Sequence, residues 1–219
     1  MSKQFLAIIA IIVVVLGGVF FFTNKGSDTA TSSSKGQPTN HVEGSTSSGV
    51  TFLEYGDYEC PYCGAYYPYV KQAVDQYKDK IQFQFRNLPL TSLHKNAFAG
   101  ARAAEAAALQ NKFWEMHDKL YENQDSSGKS GWVASSDPLG KYFENYARQL
   151  GLNTEKFKTD YASSAVNNAI NADLAAFKKT GAEQSTPTFF LDGKQIHPGY
   201  SVEDFTKAFD AAILAKNKS

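Results

Sequence analysis

The sequence predicts an α/β fold in which a βαβ unit and a ββα unit are separated by a block of helices, all preceded by an apolar helix at the N-terminus. Three observations predict it. Val50-Thr51-Phe52-Leu53-Glu54-Tyr55 and the strictly alternating Ile81-Gln82-Phe83-Gln84-Phe85 are β-type runs on either side of a segment with helical spacing. Helical patterning then dominates from Lys95 to Gly181. Finally, Thr188-Phe189-Phe190-Leu191 and Lys194-Gln195-Ile196 flank Asp192-Gly193, a strong short-range hairpin signal.

The N-terminal helix rests on the 18 residues from Phe5 to Phe22, which carry no charged or strongly polar side chain. At 1.5 Å per residue such a helix reaches about 27 Å, close to the thickness of a bilayer's hydrocarbon core. Phe20-Phe21-Phe22-Thr23-Asn24-Lys25 offers no small-residue cleavage site, so an uncleaved anchor is preferred to a cleaved signal. No cysteine lies at the end of the run to take a lipid there. With nearly all of the chain after it, the segment is expected to leave a single-pass protein on the cell membrane, its folded part on the extracytoplasmic side.

From Asn24 to Ser48 the chain is rich in Ser, Thr, Gly and Lys and poor in large apolar residues, which predicts a flexible tether. The expected organisation is therefore a transmembrane segment over 1–23, a linker over 24–48 and a folded domain over 49–219. An earlier start is possible if His41-Val42-Glu43 adds an edge strand.

Within the folded part, Cys60 to about Tyr77 is expected to be helical, with Pro61 suited to the first turn and Tyr66, Tyr67, Val70, Val74 and Tyr77 at helical spacing. Four further helices are expected over 97–109, 113–121, 139–150 and 165–179, with Gly151 and Gly181 as stops and Thr154 as a cap. The polar, Gly/Ser-rich stretch 123–137 reads as a surface loop. Val202, Phe205, Phe209, Ala212 and Ile213 mark a last amphipathic helix.

The totals narrow the chemistry. The 219 residues, 42% of them hydrophobic, can bury a real core, and 22 basic residues balance 22 acidic ones, so nothing suggests nucleic acid or an acidic polymer as partner. There are two cysteines, in Cys60-Pro61-Tyr62-Cys63. A zinc site needs about four ligands, and His41, His94, His117 and His197 are scattered, so neither metal nor other cofactor is expected. A purely structural disulfide would close too short a loop to restrain the unfolded chain much.

A redox pair fits better. The thiolate is the nucleophile, and unpaired N–H groups at a helix start stabilise it, which favours Cys60; Cys63, one turn further in, is placed to attack a mixed disulfide formed there. Glu54, inside an apolar strand six residues before Cys60, is a candidate for handling the Cys63 proton, its alternative being a carboxylate that reaches water from the strand end. Thr186-Pro187, preceded by Ser185, can leave backbone free for an extended client peptide, although such a dipeptide also commonly just ends a loop. Tyr55, Tyr58, Tyr62, Tyr66, Tyr67 and Tyr69 can form an aromatic rim or simply pack; His94, His117 and Trp114 read as packing or surface residues.

Together, Phe52 through Cys63, His94-Lys95-Asn96-Ala97, Lys112 through His117 and Ser185 through Gly193 resemble the DsbA-like branch of the thioredoxin superfamily. The resemblance covers about Val50 to Leu214. It implies a thioredoxin fold, with core 49–90 and 182–216 and a helical insertion over 91–181. It also implies a cis Thr186-Pro187 peptide, a buried acidic role for Glu54, and contact of Pro61, Tyr62, Ser185, Thr186 and Pro187 with substrate.

Tyr62 departs from the histidine that strongly oxidising members carry at that place, so a less depressed Cys60 pKa and a less oxidising disulfide are expected; Glu59 would add to this if it points inward. The implied function is disulfide exchange with exported proteins bearing thiols or disulfides, with a membrane redox partner resetting the pair. A reductase or isomerase of the same fold is the nearest alternative, and a redox-inert peptide-binding module a more distant one.

Overall fold

A computed structural model describes residues 36–218. The expected apolar anchor and the first part of the tether lie outside these residues. Among the described residues, no helix is long and apolar enough to cross a membrane.

Five strands form one sheet in the order β1-β3-β2-β4-β5: β1 His41–Gly44, β2 Val50–Gly56, β3 Ile81–Asn87, β4 Thr188–Leu191 and β5 Lys194–Ile196. β2 and β3 run parallel, joined by helix α1, Pro61–Tyr77, as the βαβ reading requires. β4 joins antiparallel to the other side of β2, pairing Phe52 with Leu191 and Tyr55 with Thr188. The β4–β5 turn has positive φ at both Asp192 and Gly193, the backbone a tight two-residue hairpin needs.

The tether expected through residue 48 ends earlier than that. β1 pairs antiparallel with β3, His41 opposite Phe85, so the edge-strand alternative holds. Just before it, Thr39 is 2% exposed and donates its N–H and hydroxyl to Asp173.

The helical insertion holds α2 Ala97–Ala108, α3 Phe113–Glu122, α4 Gly131–Ala134, a π turn Leu139–Phe143 running into α5 Glu144–Gln149, α6 Thr154–Tyr161 and α7 Ser164–Thr180. Gly181 ends α7 in the left-handed conformation that a side chain would disfavour. Two expectations need correction. The cap before α6 is Asn153, whose side chain accepts from the Lys156 N–H, so Thr154 is the first helical residue. The stretch 123–137 is not all surface loop: it contains α4, with Trp132 and Val133 buried. Its polar composition hides an anchor, because the Asn96 side chain donates to the carbonyls of Trp132, Val133 and Ser135.

α8, Val202–Lys216, packs back on the sheet. Its fully buried Phe205 and Phe209 meet Phe52, whose ring also stacks near Phe83 and Phe189. This apolar layer fixes α1 and β2, and with them the start of α1, where both cysteines are found.

Candidate active site

β2 hands the chain to a tight turn, Asp57 to Cys60, closed by a hydrogen bond from the Cys60 N–H to the Asp57 carbonyl. Cys60 is the N-cap of α1 in extended backbone, and Pro61 follows as the first helical residue, where no N–H is needed. The insertion holds the turn from above. Gln124 donates its side-chain amide to the carbonyls of Tyr58 and Cys60, at 2.7 and 2.9 Å. Gly64 leaves room for it, since a Cβ there would push the Gln124 side-chain amide out of this position.

Both thiols are free and nearly covered, Cys60 at 3% exposure and Cys63 at none. Their chemistry is opposite. The Cys60 pKa is lowered to about 6, chiefly by a hydrogen bond from Cys63; the Thr186 side chain and the N–H groups of Cys63 and Tyr62 add to this, against burial. Burial pushes the Cys63 thiol well up, and its hydrogen bond to Cys60 and the charges of Cys60 and Glu54 push the same way. One sulfur is thus a thiolate at neutral pH and the other a protonated thiol.

Thr186-Pro187 is a cis peptide, and the Cys60 Sγ lies 3.3 Å from the Thr186 carbonyl oxygen, 126 residues away in sequence. The Ser185 carbonyl accepts the Thr188 hydroxyl, which fixes the loop. Beside it, a recess of about 100 Å³ is walled by Tyr66, Ser185, Pro187, Gln195 and Pro198. Tyr62 stands out at 63% exposure and Tyr66 walls the recess, whereas Tyr55 and Tyr58 are core residues at 1% and take no part in an aromatic rim.

Glu54 lies mid-sheet, opposite Phe85 on one side and Phe189 on the other, and is 3% exposed, which removes the reading of a carboxylate reaching water from the strand end. Burial, followed by the charge of Cys60, raises its pKa to about 8.

Two partners, His94 and Gln124, were not legible as site residues, and Glu59 was read only for its charge beside Cys60. His94, expected to pack or face solvent, places Nδ1 2.7 Å from the Asp57 carboxylate, which also accepts the Leu90 N–H. That hydrogen bond raises the His94 pKa, burial opposes it, and the charges of Asp57, Cys60 and Glu59 add to the rise. Glu59 accepts the Asn96 N–H at the start of α2. Gln124 came from a segment with no chemical pattern; the acidic residues flanking the turn were the one local hint.

The Cys60 titration makes a direct prediction. Alkylation of the reduced protein reaches half its maximal rate near pH 6 and falls about tenfold per pH unit below that, because only the thiolate reacts. In Cys63→Ala the midpoint moves up, since the largest cause of the shift is gone. The lowered pKa stabilises the reduced folded form above the ordinary thiol pKa, and this is lost as pH falls through 6. A disulfide less oxidising than that of members whose nucleophile titrates near about 3.5 follows; equilibration with glutathione checks it.

Comparisons place this geometry among known proteins. A family model described as thioredoxin matches residues 36–211. Curated relatives include the Na(+)/H(+) antiporters NhaA 1 of Salinispora arenicola, 38% identical over 175 residues, and NhaA 3 of Salinispora tropica, 37% identical over 175 residues. The matches cover 79% and 80% of this chain but 24% of each relative, so the chain spans about a quarter of their length.

Among solved structures, BdbD from Bacillus subtilis superposes with a TM-score of 0.68 at 23% identity, over 82% of this chain and 94% of that one. A thioredoxin-like oxidoreductase from Silicibacter pomeroyi gives 0.63 at 26%, over 89% and 99%. MdbA, a thiol-disulfide oxidoreductase from Actinomyces oris, gives 0.66 at 17%, over 85% and 97%. The chain belongs to the thioredoxin family, with the helical insertion of its DsbA-like thiol-disulfide oxidoreductases and Cys60-Pro61-Tyr62-Cys63 as its CXXC motif.

Proposed function

We propose that the protein exchanges disulfides with exported proteins as they fold, on the outer side of a membrane to which its N-terminal segment tethers it. The observation that carries this reading is the opposite displacement of the two thiol pKa values within one CXXC, about 6 for Cys60 and far up for Cys63. Such a pair has one sulfur ready to enter or leave a mixed disulfide and another that closes the cycle.

In the oxidising direction a client thiolate attacks the Cys60 sulfur, the Cys60–Cys63 bond breaks, and Cys63 leaves as a thiol. A second client thiolate then attacks the client sulfur and releases Cys60 as the thiolate. The client gains one disulfide and the protein is left with two reduced thiols, to be reoxidised by a membrane redox partner. Pro61, Tyr62 and the Ser185-Thr186-Pro187 loop hold the client peptide beside Cys60. In reverse, Cys60 attacks a client disulfide and Cys63 expels the reduced client. A Cys60 pKa of about 6 favours giving weight to this reductase or isomerase direction, because the reduced form is less stabilised than in extreme oxidants. The antiport in the relatives' names belongs to chains of which the match covers 24%.

Incubating the disulfide form with a reduced, unfolded protein is expected to yield one client disulfide per molecule, and none with Cys60→Ser. Equal oxidation by the variant would refute the reading. Direction and location are read in cells: Cys63→Ser traps clients on Cys60, and a membrane-impermeant thiol reagent labels the pair only if the domain is exported.

A further inference from the structure

Disulfide exchange at a buried pair moves a proton as well as a disulfide. Cys63 is fully buried and a protonated thiol, so it leaves the disulfide only as a proton arrives and attacks only as one departs. Glu54 is placed to give or take that proton, yet it is itself only 3% exposed. It must be reloaded from solvent before each cycle.

A cavity of about 10 Å³ lies against Glu54, walled also by Tyr67, Lys71, His117, Asp118 and Tyr121 and, from β1, by Glu43, whose carboxyl pKa burial also raises. That is room for about one water, which needs two to four polar partners. Two polar atoms on residues of this wall, His117 Nε2 and the Tyr121 hydroxyl, are buried without a partner. The other ring nitrogen of His117, Nδ1, is 3.1 Å from Asp118 Oδ1. Asp118 in turn accepts Lys71 Nζ at 2.6 Å, and the two side chains are 27% and 44% exposed. His117 therefore has one nitrogen free in the interior and the other on a carboxylate that reaches solvent.

We propose that His117 relays protons between solvent and Glu54, through one water held among Glu54, His117 and Tyr121. This deepens the exchange reaction proposed above and rests on it. As a client thiolate bonds to the Cys60 sulfur, Cys63 takes the electron pair of the broken S–S bond and the Glu54 proton. The water then gives a proton to the Glu54 carboxylate and receives one from His117 Nε2, while Nδ1 gains a proton from solvent by way of Asp118. The ring ends in its other tautomer. The sulfur electrons stay within the exchange, so no further oxidant enters. Burial lowers the His117 pKa, which keeps the ring neutral and able to pass a proton in either direction.

The test measures repeated turnover, in which a small dithiol reduces the Cys60–Cys63 disulfide and a soluble disulfide reforms it so that Glu54 must be reloaded each cycle, in ordinary and heavy water, for the full chain and for His117→Gly and Asp118→Asn. His117→Gly is expected to slow the reaction about tenfold, to enlarge the solvent isotope effect, and to be restored by added imidazole. Asp118→Asn, on the surface, is expected to slow it about threefold, again with a larger isotope effect. Slowing of His117→Gly without an isotope effect or rescue marks a packing role and overturns the relay. If that variant does not fold, Asp118→Asn decides, and rate and isotope effect equal to the unaltered protein's overturn it. Failure of the unaltered protein to exchange disulfides at all sinks the parent reading instead.

Discussion

Replacing Glu54 with glutamine is expected to slow client oxidation about a hundredfold while making the reduced protein more stable. The rate effect follows from the leaving group. Cys63 has a thiol pKa pushed far up by burial, so its bare thiolate leaves the disulfide poorly, and a proton delivered as the bond breaks lowers the barrier. Glu54, with a pKa of about 8, holds that proton at pH 7; glutamine cannot release one. The pH profile carries the sign. Expressed per client thiolate, the rate of the unaltered protein is flat below about pH 8 and falls above it as Glu54 ionises, and in Glu54→Gln this descending limb disappears. A variant with unchanged rate and limb would remove Glu54 from the mechanism.

The stability effect has an independent sign. The unfolded carboxyl ionises near 4.5 and the folded one near 8, so the folded state binds more protons across that window and loses stability as pH rises through it. Each pH unit costs about 1.4 kcal/mol, which reaches about 3 kcal/mol at pH 7. Glutamine escapes the penalty. Urea melts of the two reduced proteins should therefore nearly coincide at pH 4.5 and differ by about 3 kcal/mol at pH 7, the variant being the more stable. A difference independent of pH would mean that the carboxyl ionises in the folded state as it does in water. Function here is bought with stability, as expected of a charge-bearing group kept in an apolar strand.

How far these features were legible depended on the sequence distance between the partners. The cysteine pair, the helix start at Pro61, the βαβ order and the Asp192-Gly193 turn are each written within a few consecutive residues, and local patterning found them. The pairing of β2 with β4 joins Phe52 to Leu191 because both bury phenylalanines on one apolar layer, and nothing local states it. Cys60 meets the Thr186 carbonyl across 126 residues, which only the family resemblance anticipated. His94 and His117 carried no spacing signal, because their partners are an aspartate 37 positions earlier and a cavity formed by five elements. Trp132 was hidden by serines and glycines, and its burial depends on Asn96 and on its indole N–H reaching the Leu120 carbonyl.

The same distance effect makes Asp173 the most sensitive position away from the sulfurs. It is fully buried on α7, accepts the N–H and hydroxyl of Thr39 at 2.7 and 2.8 Å, and accepts the N–H and side-chain amide of Asn87 at 2.9 and 3.1 Å. Asn87 also donates to Glu105, which pairs with His41 at 2.8 Å. One carboxylate thus ties the stretch before β1, the end of β3 and the insertion together. Burial and the Glu105 charge raise its pKa to about 6, so the charged form is held at a cost that its four donors offset. Asp173→Ala removes the acceptor and leaves those donors buried, at about 1 to 3 kcal/mol for each that finds no water, while relieving the cost of the charge. The net expectation is a loss of about 3 kcal/mol, seen in urea melts at pH 7. Asp173→Asn keeps one acceptor oxygen and should lose less. Hydrogen exchange should show the Thr39 N–H losing protection in Asp173→Ala while the Phe52 N–H in β2 keeps its own relative to global unfolding. Equal stability of Asp173→Ala and the unaltered protein would mean that this junction does not hold the N-terminal strand to the domain.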